Sequence, residues 1–466
     1  MEFITAVSDF LWGYPVVIIL LLTSIYLTVK LKFFQFRYPV HIFKQTVGQI
    51  GRKTRGDGTI TPFQTLTTAL SSTIGAANIV GVPVAIMLGG PGAVFWMWVI
   101  AILGMGLKFG EITLGVHYRE KNAIGEYVGG PTYYMKNGIK WPLIGKILAG
   151  WYAIFLILEL IPSIMVQSNS VASTIEDTFA LSPLVTGIAV AFFVGIVVFG
   201  GIKRIGAVSS IFVPAMALLY IIAGLIVILM NVQAIPAAFA LIFTEAFNPT
   251  AALGGGAGAV LAETIRWGFA RGIYSNEAGL GTSPIAHSAA KTDHPVRQAL
   301  WGVIEVLVDT LVICTVTALV VIVSGVWQHE DAADGSVREA LTARAFGEAF
   351  GPAGSTMVSL ALILFVFSTI TVVVFYGSRQ AEYLFGLWAG TAMKTVYVIS
   401  IIIGAIGGAT TLWTFLDIML FMILLPNIIA IVLMSPKIIE LKNEYFKSDH
   451  YYKKDIREEK ELKAGK

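Results

Sequence analysis

Apolar residues in this chain run in long blocks rather than in the one-sided stripe of a surface helix, and charged residues are concentrated in the intervals between them. Eleven blocks approach the roughly 20 residues an α-helix needs to cross a hydrocarbon core. They lie at about 11–31, 60–87, 92–117, 148–175, 183–200, 206–230, 251–283, 297–325, 354–385, 391–409 and 412–434. Two are interrupted. The run Thr73-Ile74-Gly75-Ala76-Ala77-Asn78-Ile79-Val80-Gly81-Val82-Pro83 breaks the second block, and Asn276-Glu277-Ala278-Gly279-Leu280-Gly281-Thr282-Ser283-Pro284 ends the seventh. Gly and Pro resist a continuous helix, and unwound backbone at membrane depth survives only where protein or a water-filled cavity satisfies its freed N–H and C=O groups. Two such breaks in corresponding halves point to the binding site of a secondary transporter.

Composition agrees with the pattern. Of 466 residues, 56% are hydrophobic and 13% charged, and the mean hydropathy of +0.78 excludes a soluble globular protein. The first block follows acidic Glu2 and Asp9 rather than a basic segment, so it reads as a helix of the mature protein and not a secretion signal. Cys314, the single cysteine, sits inside an apolar block, which excludes an intrachain disulfide and argues against a cysteine metal site.

Charge placement predicts orientation. The 30–58 connection carries seven Lys and Arg residues and the 118–147 connection five, whereas the intervals 88–91, 176–182 and 231–250 carry none. An N-terminus outside and a C-terminus in the cytoplasm satisfies every interval, with Lys203 and His294 cytoplasmic and Asp177 and Asp334 external. Setting the first helix aside, the breaks fall in the first and sixth of ten. Five helices per half is odd, so the halves run in opposite senses, as an inverted repeat. The expected organisation is 1–58 as an N-terminal helix with a cytoplasmic interfacial segment, 59–230 and 231–435 as the two repeats, the second with an external loop at 326–353, and 436–466 as a cytoplasmic tail. The stretches 33–50 and 233–250 read as interfacial.

Several motifs carry a family resemblance: Gly56-Asp57-Gly58-Thr59-Ile60-Thr61-Pro62-Phe63-Gln64, Gly89-Gly90-Pro91-Gly92-Ala93-Val94-Phe95-Trp96-Met97-Trp98, Gly129-Gly130-Pro131-Thr132-Tyr133-Tyr134-Met135 and Arg271-Gly272-Ile273-Tyr274-Ser275-Asn276-Glu277-Ala278-Gly279. With them the chain resembles the alanine or glycine:cation symporter family over essentially its whole length. The resemblance implies an all-α polytopic membrane protein with a leucine-transporter-like five-plus-five inverted repeat and one extra N-terminal helix. It further implies inward symport of a small neutral amino acid with Na+, or sometimes with a proton, by a protein of the cell membrane that is not an enzyme, holds no resident cofactor and binds no nucleic acid.

Carried onto this sequence, the resemblance places Thr73, Gly75, Ala77, Asn78, Gln167, Asn276 and Gly279 around the amino acid. It gives sodium the oxygens of Ser71, Ile74, Ser368 and Thr369. A helix start offers N–H groups to a carboxylate and unwound carbonyls suit a hard cation, so the chemistry agrees. Each has a bland counterpart: glycines as close helix packing, Gln167 as an interhelical hydrogen bond, and Ser368 and Thr369 as hydroxyls bonding back to their own helix. Three departures bear on selectivity: Ala76 and Ala77 stand where the family places Thr and Gly, Ser163 and Ile164 where it tends to Gly-Asn, and Val372-Val373-Val374 where a Trp is usual.

Among ionisable residues within the blocks, Glu305 and Asp309 lie four apart, and either is expected to bridge to Arg266 or Arg271. Glu277 reads as a cap on the helix that follows it, and Glu159 as a candidate for proton coupling. Gly254-Gly255-Gly256-Ala257-Gly258-Ala259 fits a dinucleotide fingerprint but opens a membrane helix with no strand before it, which excludes that function. A channel would need a filter-like repeat and an intramembrane enzyme a buried nucleophile or metal motif, and the sequence shows neither.

Overall fold

A computed structural model describes residues 6–7, 10–11, 13–248, 257–329, 335–407 and 410–457. The fold is almost wholly helical; the described strands are one two-residue pair, Glu120–Lys121 against Tyr127–Val128, in the connection after the third block. The main helices in chain order are α1 (Tyr14–Lys30), α2 (Pro62–Thr73), α3 (Val82–Gly89), α4 (Ala93–His117), α5 (Pro142–Phe179), α6 (Pro183–Val198), α7 (Gly201–Met230), α8 (Ile235–Glu245) and α9 (Ala257–Asn276). After the second break come α10 (Pro295–Val306), α11 (Thr315–Ser324), α12 (Gly335–Phe350), α13 (Pro352–Phe385), α14 (Leu387–Ile406) and α15 (Thr410–Lys447).

Among the described residues seven helices are long and apolar enough to cross a bilayer, and the pair α2 and α3, bent by 51° at the first break, makes an eighth. Three further apolar helices, at Tyr14–Lys30, Pro183–Val198 and Val232–Glu245, are shorter. α9 has 20 residues but carries Glu263, Arg266 and Arg271. The outward faces of α6 and α7 expose Phe192, Phe193, Leu218, Leu219 and Leu229, while Thr, Ser, Asn and even Lys side chains are buried inside. That inversion of the water-soluble pattern suits a lipid solvent.

Two packing groups emerge. α4 packs against α1, α9 and α10, and α9 against α3; α5 packs against α13, α14 and α15, and α6 against α14. α2 bridges them through contacts with α10 and α13, and also packs against α7. The start of α2 is fixed locally by a capping box in which the Thr61 hydroxyl accepts from the Gln64 N–H and the Gln64 side chain accepts from the Thr61 N–H, with Pro62 in the first turn.

Two features add to the sequence reading. α15 continues through Pro436 to Lys447, so the segment after Pro436 begins as helix. The 326–353 loop contains α12, whose Thr342 hydroxyl donates to the Ile79 carbonyl at 2.6 Å, so the loop reaches the first break. Asp334 and Pro249 lie outside the described residues.

Candidate functional site

The first break forms because α2 stops at Thr73 and Ile74 turns to an extended conformation (φ −79°, ψ 100°), after which Ala77–Gly81 winds as one turn of π-helix into α3. Asn78 fastens this turn. Its Oδ1 accepts from the Gly75 N–H at 2.9 Å, and its Nδ2 donates to Ser275 Oγ at 3.0 Å and Asp309 Oδ1 at 2.8 Å. Asp309 stands in a second π-helical stretch, Leu307–Cys314, and its Oδ2 accepts from Ser275 and Thr310, each at 2.7 Å. The knot joins both broken helices to the helix after them, and every member is buried. π-turns of this kind recur at functional sites.

The second break follows Asn276. Glu277 takes a left-handed φ of 54°, unusual for a residue with a side chain, and Gly279 and Gly281 take φ of 101° and 77°. Its backbone groups find side-chain partners, as burial demands. Gly279 N–H donates to Glu111 Oε1 at 3.0 Å, Asn427 Nδ2 donates to the Gly279 carbonyl at 2.8 Å, and Tyr152 OH donates to the Leu280 carbonyl at 2.8 Å. The glycine is required there for space as well, since a Cβ on Gly279 would lie 2.4 Å from Leu20 Cδ2.

Beside this break, Lys108 Nζ lies 3.1 Å from Glu305 Oε1 and donates to Ser283 Oγ at 2.7 Å, while Glu305 Oε2 lies 3.2 Å from His287 Nε2. Lys108 and Glu305 are both fully buried, and removing one partner of such a pair costs about 3 to 5 kcal/mol. Glu305 and Asp309 thus do not bridge to Arg266 or Arg271 as the sequence suggested; Arg266 pairs with Glu263 at 2.7 Å. Nor does Glu277 cap the next helix through backbone N–H groups: its Oε2 accepts from the Thr282 hydroxyl at 2.5 Å and faces Ser72 Oγ at 3.5 Å. Sequence reasoning missed Lys108 and Glu111, although two ionisable residues one turn apart inside the 92–117 block were a usable signal.

Between the two packing groups lies a cavity of about 720 Å³, within the range of small-molecule sites. Its wall includes Thr73, Gly75 and Ala77 from the first break, Gln167 from α5 and Thr369 from α13. Gln167 lines the space, and its amide makes one long contact of 3.5 Å to Ser163 Oγ. Glu159 and Glu277 also line it, as do Val373 and Tyr376. Asn78, Asn276 and Gly279 do not. Asn78 is committed to the buried knot, Asn276 holds the Ala278 N–H at 3.0 Å and Thr310 at 3.3 Å, and Gly279 packs toward α1.

The oxygens expected around sodium are partly gathered. Thr369 Oγ1 lies 3.4 Å from the Ile74 carbonyl and donates to the Phe365 carbonyl at 2.9 Å; Ser368 Oγ donates to the same carbonyl at 2.8 Å. Ser71 sits one turn before Ile74, with its hydroxyl on the Thr67 carbonyl at 2.9 Å and Ser209 at 3.1 Å.

Interrupted helices whose unwound backbone borders a cavity between helix groups, in an all-α polytopic chain, define a membrane transporter. The chain belongs to the sodium:alanine symporter family, whose model matches residues 1–460. That is a family of transmembrane, sodium-coupled amino-acid symporters. A Bacillus subtilis (strain 168) relative described as the uncharacterized transporter YflA is 56% identical over 461 residues, spanning 99% of this chain and 97% of its own. The sodium/alanine symporter AgcS of Methanococcus maripaludis is 39% identical over 436 residues, 93% of this chain and 95% of its own. In fold the chain is similar to a Na+-coupled sialic acid symporter solved in a substrate-bound outward-open state, with a TM-score of 0.50 over 93% of this chain and 86% of that one, at 12% identity.

Proposed function

We propose that this protein carries a small neutral amino acid of the alanine or glycine kind into the cell together with Na+, by alternating access. The observation that carries the reading is the cavity where backbone of the first break, Gln167 and Thr369 meet. The amino acid's carboxylate takes N–H groups and the positive dipole end at the turn from Ala77 into α3, with Gln167 alongside. Its ammonium faces the C-terminal end of α9 and the Glu277 carboxylate. Sodium draws together the carbonyls of Ser71 and Ile74 and the hydroxyls of Ser368 and Thr369, tying the first break to α13. Bound sodium then favours the arrangement that receives substrate, and by linkage substrate favours sodium binding equally.

The architecture that serves this cycle, in our reading, is eleven crossings: α1 followed by two inverted sets of five, with the N-terminus outside and the C-terminus cytoplasmic in the cell membrane. The paired breaks and the distribution of Lys and Arg support it. A proton-driven variant of the same cycle is favoured by one observation, the buried carboxylate of Glu159 and the half-buried one of Glu277 on the cavity wall.

Uptake of labelled alanine by the purified protein in liposomes separates the two. An inward sodium gradient should drive saturable accumulation, and unlabelled glycine, alanine and serine should compete. Accumulation driven by a proton gradient without sodium would replace the sodium reading, and absence of competition by any small neutral amino acid would end the substrate assignment.

A further inference from the structure

A second cavity, of about 500 Å³, lies at the end of the molecule where α2 and α10 begin, away from the transport site. Arg52, Lys53, Arg55, Lys291 and Arg297 line it, and among the described residues no Asp or Glu does. Two of these cations are engaged at its edge. Arg55 pairs with Asp455 at 3.1 Å, and Arg297 with Asp455 at 2.9 Å and Asp293 at 2.7 Å. Arg52, Lys53 and Lys291 pair with no described carboxylate. Five cations facing one space against two carboxylates at its edge leave a net positive charge, and an anion placed among them relieves their repulsion.

The segment that roofs this cavity identifies the kind of anion. Phe33, Phe36, Val40, Phe43, Val47 and Ile50 recur at alternating intervals of three and four and are all exposed, while Phe34, Gln35, His41, Ile42, Gln45 and Thr46 between them are buried against the protein. The short helices Phe34–Arg37 and Pro39–Gln45 and the turn Val47–Gln49 carry this row. An apolar face left exposed on a basic amphipathic segment of a membrane protein lies in the plane of the headgroups, with its side chains among the acyl chains. Ile50 belongs both to that row and to the cavity wall, so the apolar face runs directly into the basic space.

We propose that this cavity binds the headgroup of an anionic phospholipid, with the acyl chains lying along the apolar row. Basic pockets at a membrane face take such headgroups by charge, and the juxtaposed apolar surface distinguishes a lipid from a soluble anion. The cavity wall includes Thr61 and Gln64, the capping box of α2, and Arg297 and Gln298 at the start of α10. A seated headgroup therefore braces the start of α2, whose far end lines the transport cavity, and the start of α10, whose Glu305 pairs with Lys108 beside the second break. The inference rests on the cavity and the segment alone and stands whichever substrate the transporter carries.

The test uses the full-length protein in nanodiscs of phosphatidylcholine with or without phosphatidylglycerol, with retained lipid measured by native mass spectrometry and stability by thermal denaturation. Phosphatidylglycerol should be retained and should raise the denaturation temperature. Arg52→Gln with Lys53→Gln, both exposed, should reduce retention by about twenty-five-fold, from roughly fivefold per cation at an anionic surface. Lys140→Gln with Lys146→Gln, which removes equal charge from another connection on the same end, should leave it unchanged, and Phe43→Ser should weaken it. Equal loss in both double variants would overturn the proposal, because only diffuse charge would then be at work. So would equal stabilisation by inorganic phosphate in pure phosphatidylcholine, which would assign the cavity to a soluble anion.

Discussion

Replacing Asn78 by Ala tests whether the first break is held by protein or by substrate. The Asn78 side chain is fully buried and serves both sides of the break, accepting from Gly75 N–H and donating to Ser275 and Asp309. Alanine would strand the Gly75 N–H and leave Asp309 Oδ1 without its 2.8 Å donor. Each buried group left unpaired costs about 1 to 3 kcal/mol, more when charged, so the substrate-free protein should lose on the order of 2 to 6 kcal/mol. Asn78→Asp keeps the acceptor for Gly75 but sets a second carboxylate against Asp309, and should be no better. The assay is thermal denaturation of purified, substrate-free protein, paired with competition uptake by glycine, alanine and serine. Lower stability without substrate, and affinities for all three reduced in equal proportion, are expected. An unchanged denaturation temperature with a loss confined to some substrates would refute the reasoning, since it would mean that Asn78 faces the amino acid and not the knot.

Thr369→Ala and Ser368→Ala should each raise the sodium concentration for half-maximal uptake, with amino-acid affinity falling mainly at low sodium; unaltered sodium dependence in both would remove α13 from the cation site. Ala77→Gly should change the rank order among glycine, alanine and serine in competition assays by about 1 to 3 kcal/mol at most, because the methyl lies on the cavity wall. His294, outside the spanning segments, is pushed down to about 4 by burial, even with Glu444 at 3.7 Å. Because the folded imidazole resists a proton that the unfolded one accepts near its usual value of about 6.5, stability should fall as pH drops from there toward 4. His294→Asn keeps an N-cap acceptor for Val296 and should lessen that fall, measured by thermal denaturation at pH 7 and pH 5.

Local chemistry determined a great deal. Block length alone marks α4, α5, α7, α13 and α14 as membrane helices, because hydrocarbon thickness fixes how many apolar residues a crossing takes. The breaks were legible because Gly and Pro act on the backbone at their own positions. The motifs carried the family. What the sequence withheld was direction around each helix axis. Hydropathy records that Asn78 and Asn276 are inside but not which neighbour they face, and their partners lie far away in the chain: Ser275 is 197 residues from Asn78, and Asp309 is 231. Lys108, Glu111 and Glu305 look like isolated charges in lipid until packing brings α4, α10 and the second break together, where ion pairing and backbone N–H groups offset their desolvation. Nor could the acidic loop be seen to send α12 back to Ile79. Burial in a span is a property of the segment, whereas the partner that makes a buried polar group tolerable is decided only when the helices pack.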